Sequence, residues 1–278
     1  MQSYLLGQYE KSMPHSMSLR EKLLLSRKCG FDYLEISVDE TEEKLSRLDW
    51  GKEERHALRR AVEEAGQPVL SMCLSAHRKY PLGSSNPETA AQSLAISEKA
   101  VQFCAEIGIR QIQLAGYDVY YEPSTEETRE RFAGNLRKTV GYAEKYGVLL
   151  GFETMETPFM NTCAKAMRYV SEINSPYLQI YPDVGNLTNA LGDPLADLAD
   201  AHGHITAAHL KETLPGQFRD VPFGTGHTPY VPAIRMLREM GVGMFVLEFW
   251  YVDGADPERY VQEARAYIAE KFREADVR

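Results

Sequence analysis

The chain has 278 residues, of which 44% are hydrophobic and 26% charged, and its formal net charge is −9. These proportions are typical of a globular protein with room for a sizeable core. The acidic balance argues against a nucleic-acid partner, which requires a basic surface, although a small anionic substrate needs only a local cationic pocket.

The sequence predicts neither a signal peptide nor a membrane span. The N-terminus has no basic segment followed by an apolar core, and no apolar run approaches the roughly 18 residues of a membrane span. The four cysteines are scattered without CxxC spacing: Cys29, Cys73, Cys104 and Cys163. We therefore expect a cytoplasmic protein with free thiols and no membrane partner.

Short apolar runs alternate along the chain with longer amphipathic segments. The runs predicted to be strands are residues 4–9, 33–37, 69–74, 111–114, 149–153, 178–183, 205–209 and 244–248. The later runs lack polar alternation, which is typical of parallel strands that helices cover on both faces.

Helix signals lie between these runs. Ser18 and Glu21 form a capping-box pattern, Asn86 precedes a proline at a predicted first helical position, and Asp256 does the same near the C-terminus. Gly30 stands where a left-handed helix end is needed. The predicted helices cover about residues 18–29, 51–65, 87–107, 124–146, 161–173, 194–202, 230–240 and 257–274.

Eight strands alternating with eight helices predict an α/β fold with a parallel sheet. At this length, closure into a (β/α)₈ TIM barrel is favoured over an open Rossmann sheet, and the chain has no GxGxxG motif in its first turns. No linker, low-complexity stretch or repeat marks a boundary. We therefore expect residues 1–278 to form a single domain.

Four predicted strands in the second half of the chain end in a residue that can bind a metal: Glu153, Asp183, His209 and Glu248. They follow one another at roughly 25 to 40 residues, and one βα unit takes roughly 30, so consecutive strands would bring them to the C-terminal mouth of the barrel. Two Glu, one Asp and one His suit a divalent cation, and three buried carboxylates would repel one another without one. A carboxylate–histidine hydrogen-bonded network without metal is the alternative.

Two basic residues near strand ends are candidates for substrate contacts. Arg78 has the planar guanidinium that best binds phosphate, or it is simply a solvated loop charge. Lys211 lies two residues beyond His209 and so on the same side of an extended strand. It would neutralise an oxyanion or phosphate, or pair with Glu212.

Other polar residues carry weaker signals. His77 closes the third strand and is either a substrate ligand or a structural donor. Glu35 and Glu156 are weaker candidates for contacts with substrate hydroxyl groups. The glycine-rich turn at residues 222–226 precedes a helix and would bind phosphate or, more simply, form a tight turn. The aromatic residues that follow Glu248 would wall the mouth or pack: Phe249, Trp250 and Tyr251.

Longer stretches carry a family resemblance. Residues 72–78 (MCLSAHR), 113–121 (QLAGYDVYY) and 181–187 (YPDVGNL) closely resemble the L-ribulose-5-phosphate 3-epimerases, also called L-xylulose-5-phosphate 3-epimerases. These enzymes are xylose-isomerase-like barrels, and the likeness covers nearly the whole chain. Related epimerases of free ketoses carry His and Arg where this chain has Asn186 and Pro215. These departures favour a phosphorylated substrate.

The resemblance implies a (β/α)₈ barrel and an isomerase that inverts C3 of a ketopentose 5-phosphate, L-ribulose 5-phosphate or L-xylulose 5-phosphate. It also implies one divalent metal ion on Glu153, Asp183, His209 and Glu248, and the chemistry of this ligand set suits Mn²⁺, Mg²⁺, Co²⁺ or Zn²⁺. We expect deprotonation and reprotonation at C3 through an enediolate, with Glu153 and Glu248 as the acid/base pair. The expected substrate-binding residues are His77, Arg78, Glu156 and Lys211. A homodimer is compatible with the exposed helices of a barrel.

Three other functions compete with this hypothesis. An aldose–ketose isomerase on the same scaffold would move the carbonyl between C1 and C2. A DNA-repair endonuclease shares this barrel, but it uses a multi-metal cluster with more histidines, and the acidic charge counts against it. A catalytically silent sugar-binding protein would have no need for the intact ligand set.

Overall fold

A computed structural model describes residues 4–277. Its eight strands are β1 (Leu5–Tyr9), β2 (Tyr33–Val38), β3 (Val69–Leu74), β4 (Gln111–Ala115), β5 (Leu149–Glu153), β6 (Leu178–Tyr181), β7 (Ala208–Leu210) and β8 (Met244–Leu247). They form one parallel sheet in the order β6-β5-β4-β3-β2-β1-β8-β7.

The two edge strands of this sheet, β6 and β7, meet and close it into a barrel. Isolated parallel bridges join Ile180 to Ile205 and Asp183 to His209. The amide of His209 also donates to the carbonyl oxygen of Pro182 at 2.9 Å. The (β/α)₈ TIM-barrel prediction is therefore confirmed.

Ten α-helices lie in the described part of the chain. They are α1 (Leu19–Lys28), α2 (Glu42–Ser46), α3 (Lys52–Ala65), α4 (Pro87–Ile107), α5 (Glu126–Tyr146), α6 (Cys163–Ile173), α7 (Val184–Leu191), α8 (Leu195–Asp200), α9 (Tyr230–Glu239) and α10 (Pro257–Asp276). None of them is long and apolar enough to cross a bilayer.

The sequence predicted eight helices, so α2 and α7 are additions. The helix α2 lies in the acidic segment after β2, where no helix was predicted. The helix α7 begins immediately after Asp183, whose side chain accepts a hydrogen bond from the amide of Asn186 at 2.9 Å. The predicted ligand is therefore also a helix cap, and the expected continuation of strand six to residue 183 is wrong. Strand seven is also shorter than the predicted 205–209, since Ile205 makes only an isolated bridge.

The predicted helix starts are confirmed. Ser18 and Glu21 make a reciprocal capping box, and the side chains of Asn86 and Asp256 accept amide hydrogens at the starts of α4 and α10. Gly30 follows α1 with a φ of 81°, a left-handed conformation that glycine adopts without steric cost. These local signals determine where the helices that cover the barrel begin and, at Gly30, where one of them ends.

The main apolar core fills the space between the strands and the helices. A second, smaller cluster that includes Tyr33 and Val246 lies apart from it. The ring of Tyr33 crosses the interior and donates to the carbonyl oxygen of Phe245 at 3.1 Å. It passes so close to Gly7 that a Cβ atom there would overlap with the ring. All four cysteines are buried free thiols.

A buried ion cluster joins β1 to α1 and to the segment after β2. We call it the Glu10 cluster, and it consists of Glu10, Lys22, Lys44 and Arg47. Arg47 donates to both carboxylate oxygens of Glu10, at 2.6 and 2.8 Å, and the amide of Ser37 donates at 2.8 Å. Burial would raise the pKa of Glu10, but Arg47, Lys44 and Lys22 outweigh it and hold that pKa far below its ordinary value.

Candidate metal centre and active-site pocket

The four predicted metal ligands come together at the C-terminal mouth of the barrel. Glu153 is the last residue of β5, Asp183 follows β6, His209 lies in β7 and Glu248 follows β8. One potential ligand atom from each lies within 4.8 Å of the others. None of the four is more than 5% exposed.

His209 lies between carboxylates on both sides of its ring. Its Nε2 atom is 2.7 Å from Oε1 of Glu35. Its Nδ1 atom is 3.0 Å from Oε1 of Glu153 and 3.5 Å from Oε2 of Glu248. Burial would lower the pKa of His209, but Glu35, Glu248 and Glu153 outweigh burial and raise it well above its ordinary value.

Lys211 is the second cation of the cluster. Its Nζ atom lies 2.6 Å from Oδ2 of Asp183 and 3.0 Å from Oε2 of Glu248. Burial would lower the pKa of Lys211, but the carboxylates outweigh it and raise that pKa. The expected alternative pairing with Glu212 is not formed.

The pKa values of the carboxyl groups in the cluster are shifted in different directions. Burial, followed by the charge of Glu248, raises the pKa of Glu153. Burial also raises the pKa of Asp183, in spite of Lys211. For Glu248, burial acts in the same direction, but Lys211 and His209 outweigh it and hold the pKa well below its ordinary value.

This arrangement fits a divalent cation. Metal–ligand distances of about 2.0 to 2.6 Å allow two ligands of one ion to lie up to about 5 Å apart, and the four ligand atoms meet that limit. Three carboxylates and an imidazole are a hard, oxygen-rich donor set. Lys211 leaves the set with an excess of negative charge, which a divalent ion would balance.

An open pocket leads to the cluster. Glu153, Glu248 and Lys211 lie at its base, where Asn186 and Trp250 also line it. The remaining lining residues include three basic and three aromatic or sulfur-containing side chains: Lys11, Arg78, Arg219, Tyr9, Phe218 and Met155. A larger groove on the outer surface between α5 and α6 contains none of the predicted site residues.

Arg78 and Glu156 line this pocket and are linked through a tyrosine. Arg78 donates to the hydroxyl oxygen of Tyr117 at 3.2 Å, and that hydroxyl donates to Glu156 at 2.7 Å. The guanidinium also lies over the rings of Tyr117 and Tyr120, 5.7 and 5.0 Å from their centroids. Arg78 is therefore an ordered cation rather than a solvated loop charge.

The structure does not bring His77 to the pocket. The residue lies in a short 3₁₀ turn after β3 and packs against α4, where it is 2% exposed. Ser97 Oγ donates to the carbonyl oxygen of Ser93, so Nε2 of His77 is the donor to Ser97 Oγ, at 3.1 Å. Of the two alternatives for His77, the structure therefore favours the structural hydrogen-bond donor over the predicted substrate ligand. Burial lowers its pKa to about 4.

This burial predicts a pH-dependent stability. Because the pKa of His77 is about 4 in the fold and 6.5 ordinarily, the unfolded chain binds the proton more tightly. Stability from His77 is therefore complete above pH 6.5 and is lost towards pH 4, by about 2 kcal/mol between pH 7 and pH 5. Urea unfolding of the wild type and of His77→Gln should show this excess loss in the wild type alone. An equal loss in both proteins would contradict the prediction.

The glycine-rich turn at residues 222–226 is occupied by an internal carboxylate. Glu212 accepts hydrogen bonds from the amides of Thr213, Gly224 and Thr228 at 3.0 to 3.2 Å. Of these amides, that of Gly224 belongs to the turn, and the neighbouring amide of Thr225 donates within the turn to the carbonyl oxygen of Pro222 at 3.1 Å. Neither amide is free to hold a phosphate, and the tight-turn interpretation is the better one. Of the aromatic residues after Glu248, Trp250 lines this pocket, and Phe249 lines an adjoining cavity that also contacts Lys211 and Glu248.

Sequence reasoning missed the position of Glu35. This residue is wholly buried inside the barrel, behind His209, and it does not line the pocket. A contact between Glu35 and a substrate hydroxyl group is therefore excluded. The available signal was a carboxylate in the middle of an otherwise buried strand, which is costly without partners.

A family model described as a xylose isomerase-like TIM barrel matches residues 23–271. The chain belongs to this family. An L-ribulose-5-phosphate 3-epimerase, UlaE, of Escherichia coli strain SMS-3-5 / SECEC is 45% identical over 271 residues, which is 97% of this chain and 95% of that protein. A putative L-ribulose-5-phosphate 3-epimerase UlaE of Shigella dysenteriae serotype 1 has the same identity and coverage.

Solved structures of sugar epimerases share the fold at low sequence identity. A structure of an L-ribulose 3-epimerase has a TM-score of 0.79 at 18% identity, covering 98% of this chain and 95% of its own. The 3-keto-D-glucoside 4-epimerase YcjR of E. coli has a TM-score of 0.78 at 19% identity, covering 96% and 99%. The predicted family is thus confirmed, and this xylose isomerase-like barrel is an epimerase, a type of isomerase.

Proposed function

We propose that this xylose isomerase-like barrel inverts C3 of a ketopentose 5-phosphate, interconverting L-ribulose 5-phosphate and L-xylulose 5-phosphate. The names of relatives that are similar over 97% of the chain support this choice of substrate. The convergence of Glu153, Asp183, His209 and Glu248 within 4.8 Å at the barrel mouth carries the proposal. One divalent ion held by these four residues would supply electrostatic stabilisation of the negative charge that develops on the ketose oxygens.

The two glutamates are the proposed acid/base pair. Inversion needs one group to remove the C3 proton and another to return a proton to the opposite face. Glu153 and Glu248 come from different strands, and both line the base of the pocket. Asp183 and His209 do not line it, which leaves them the role of fixing the ion.

The cations of the pocket suit the phosphorylated substrate. Arg78 is held by Tyr117 and Glu156 in a fixed orientation, which favours binding of phosphate over a mobile side chain. Lys211 lies at the base and would face the reacting oxygens rather than a distant phosphate. Oδ1 of Asn186 has no hydrogen-bond partner in the part of the chain that the structure describes, so it is available to a substrate hydroxyl group.

The test is a proton-exchange assay with both pentulose phosphates in deuterated water. We expect deuterium at C3 and conversion of each substrate into the other. Activity should disappear with a chelator and return with Mn²⁺, Mg²⁺, Co²⁺ or Zn²⁺ added separately. Deuterium at C1 with no change at C3 would instead indicate an aldose–ketose isomerase. No exchange at either carbon in metal-supplemented protein would contradict both reactions.

A further inference from the structure

The carboxylate of Glu35 lies inside the barrel, behind the four proposed metal ligands. It does not line the pocket, and His209 is the one proposed ligand that it contacts. Glu35 on β2 is 0% exposed. The interior of a (β/α)₈ TIM barrel is usually filled with branched apolar side chains. A carboxylate buried there is costly unless it is paired and hydrogen-bonded. Its environment should therefore reveal what it does.

Both oxygens of Glu35 are occupied. Oε2 accepts hydrogen bonds from the hydroxyl groups of Ser71 at 2.7 Å and Tyr181 at 2.8 Å. Oε1 lies 2.7 Å from Nε2 of His209. The two hydroxyl donors fix the carboxylate plane, and the remaining oxygen is directed at one nitrogen of the imidazole.

This contact determines which nitrogen of His209 is available at the mouth. With Nε2–H donating to Glu35, the ring turns Nδ1 towards Glu153 and Glu248, at 3.0 and 3.5 Å. The ring cannot rotate without breaking a hydrogen bond to a buried carboxylate. A carboxylate behind a ligating imidazole also raises the donor strength of the opposite nitrogen.

We infer that Glu35 is a positioning residue for the metal centre: it fixes the ring of His209 so that Nδ1 is the ligand, and it strengthens binding of the ion. This inference rests on the metal centre of the proposed function. Glu35 itself touches neither the ion nor the substrate. Its effect should therefore appear in metal affinity, which can be measured without any turnover.

The experiment uses the full chain, stripped of metal with a chelator and dialysed. Calorimetric titration with Mn²⁺ gives the dissociation constant for the wild type, Glu35→Leu, Glu35→Gln and Ser71→Ala. Leu fills the space without an acceptor, whereas Gln retains a neutral oxygen that can accept from Nε2–H. Ser71→Ala is the matched control, because it removes a hydrogen bond to the same carboxylate on the side away from His209. NMR of the Zn²⁺-loaded proteins follows the slowly exchanging Nε2–H proton of His209.

We expect Glu35→Leu to weaken Mn²⁺ binding by about 10- to 100-fold and to abolish the Nε2–H signal. Glu35→Gln should recover part of the affinity, and Ser71→Ala should stay close to the wild type with its signal retained. Unchanged affinity in folded Glu35→Leu, or an equal loss in Ser71→Ala, would overturn the inference. If Glu35→Leu does not fold, the comparison of Glu35→Gln with Ser71→Ala decides. A wild-type chain that binds no Mn²⁺ would instead overturn the metal centre itself, and the inference with it.

Discussion

Replacing Glu153 or Glu248 with Gln is expected to lower kcat for C3 epimerisation by about 10²- to 10⁴-fold, the usual contribution of a positioned acid/base group. Each substitution preserves the size of the side chain but removes its ability to exchange a proton. Because the two groups are proposed to serve opposite faces of C3, a single variant should lose interconversion while one epimer still exchanges its C3 proton with solvent. The two variants should differ in which epimer retains exchange.

Metal content and fold must be measured beside turnover, since both residues are also proposed ligands. Assays at saturating Mn²⁺, with the bound metal quantified, separate loss of proton transfer from loss of the ion. Glu130→Gln is the matched control, because it makes the same chemical change on the exposed outer face of α5. Full interconversion by a metal-loaded Glu153→Gln or Glu248→Gln protein would rule out the proposed roles. Retention of exchange for the same epimer in both variants would exclude the two-face mechanism.

Glu10→Gln is expected to lower the free energy of unfolding by about 3 to 5 kcal/mol, the usual cost of removing one partner from a buried ion pair. The variant would leave Lys22, Lys44 and Arg47 in the interior without their common anion, and each of them is at most 6% exposed. Equilibrium unfolding in urea at neutral pH measures the change.

Glu263→Gln is the control for this prediction. It also removes a carboxylate from an arginine, Arg259, but the pair lies on the exposed face of α10. Exposed pairs contribute little to stability, so this variant should unfold at nearly the wild-type urea concentration. A Glu10→Gln protein as stable as Glu263→Gln would show that the cluster does not hold β1 to the segment after β2.

The sequence was sufficient to predict the barrel and the four residues that the structure brings together at its mouth. Parallel strands buried on both faces leave apolar runs, and a ligand-type residue that ends such a run is conspicuous. The helix α7 was not foreseen, because Asp183 serves both as the end of an apolar run and as a helix cap. Its eight residues are too few for a strong periodic pattern.

The remaining errors concern directions of side chains. His77 follows β3 in sequence, but the chain turns there into a 3₁₀ segment and directs the ring at α4 instead of the mouth. Lys211 and Glu212 are adjacent in sequence and find different partners, Asp183 for the first and the turn amides for the second. Such choices depend on tertiary neighbours that spacing along one strand does not reveal.

The junction between β6 and β7 is joined by isolated bridges rather than a continuous ladder, and one of these bridges pairs Asp183 with His209. Two of the four proposed ligands therefore face each other across the seam where the cylinder closes. An ion bound by both residues would cross-link the two sides of this junction. Metal binding would therefore also stabilise the closed barrel. Loss of the ion would then weaken the junction between β6 and β7, in addition to removing the positive charge of the ion from the pocket.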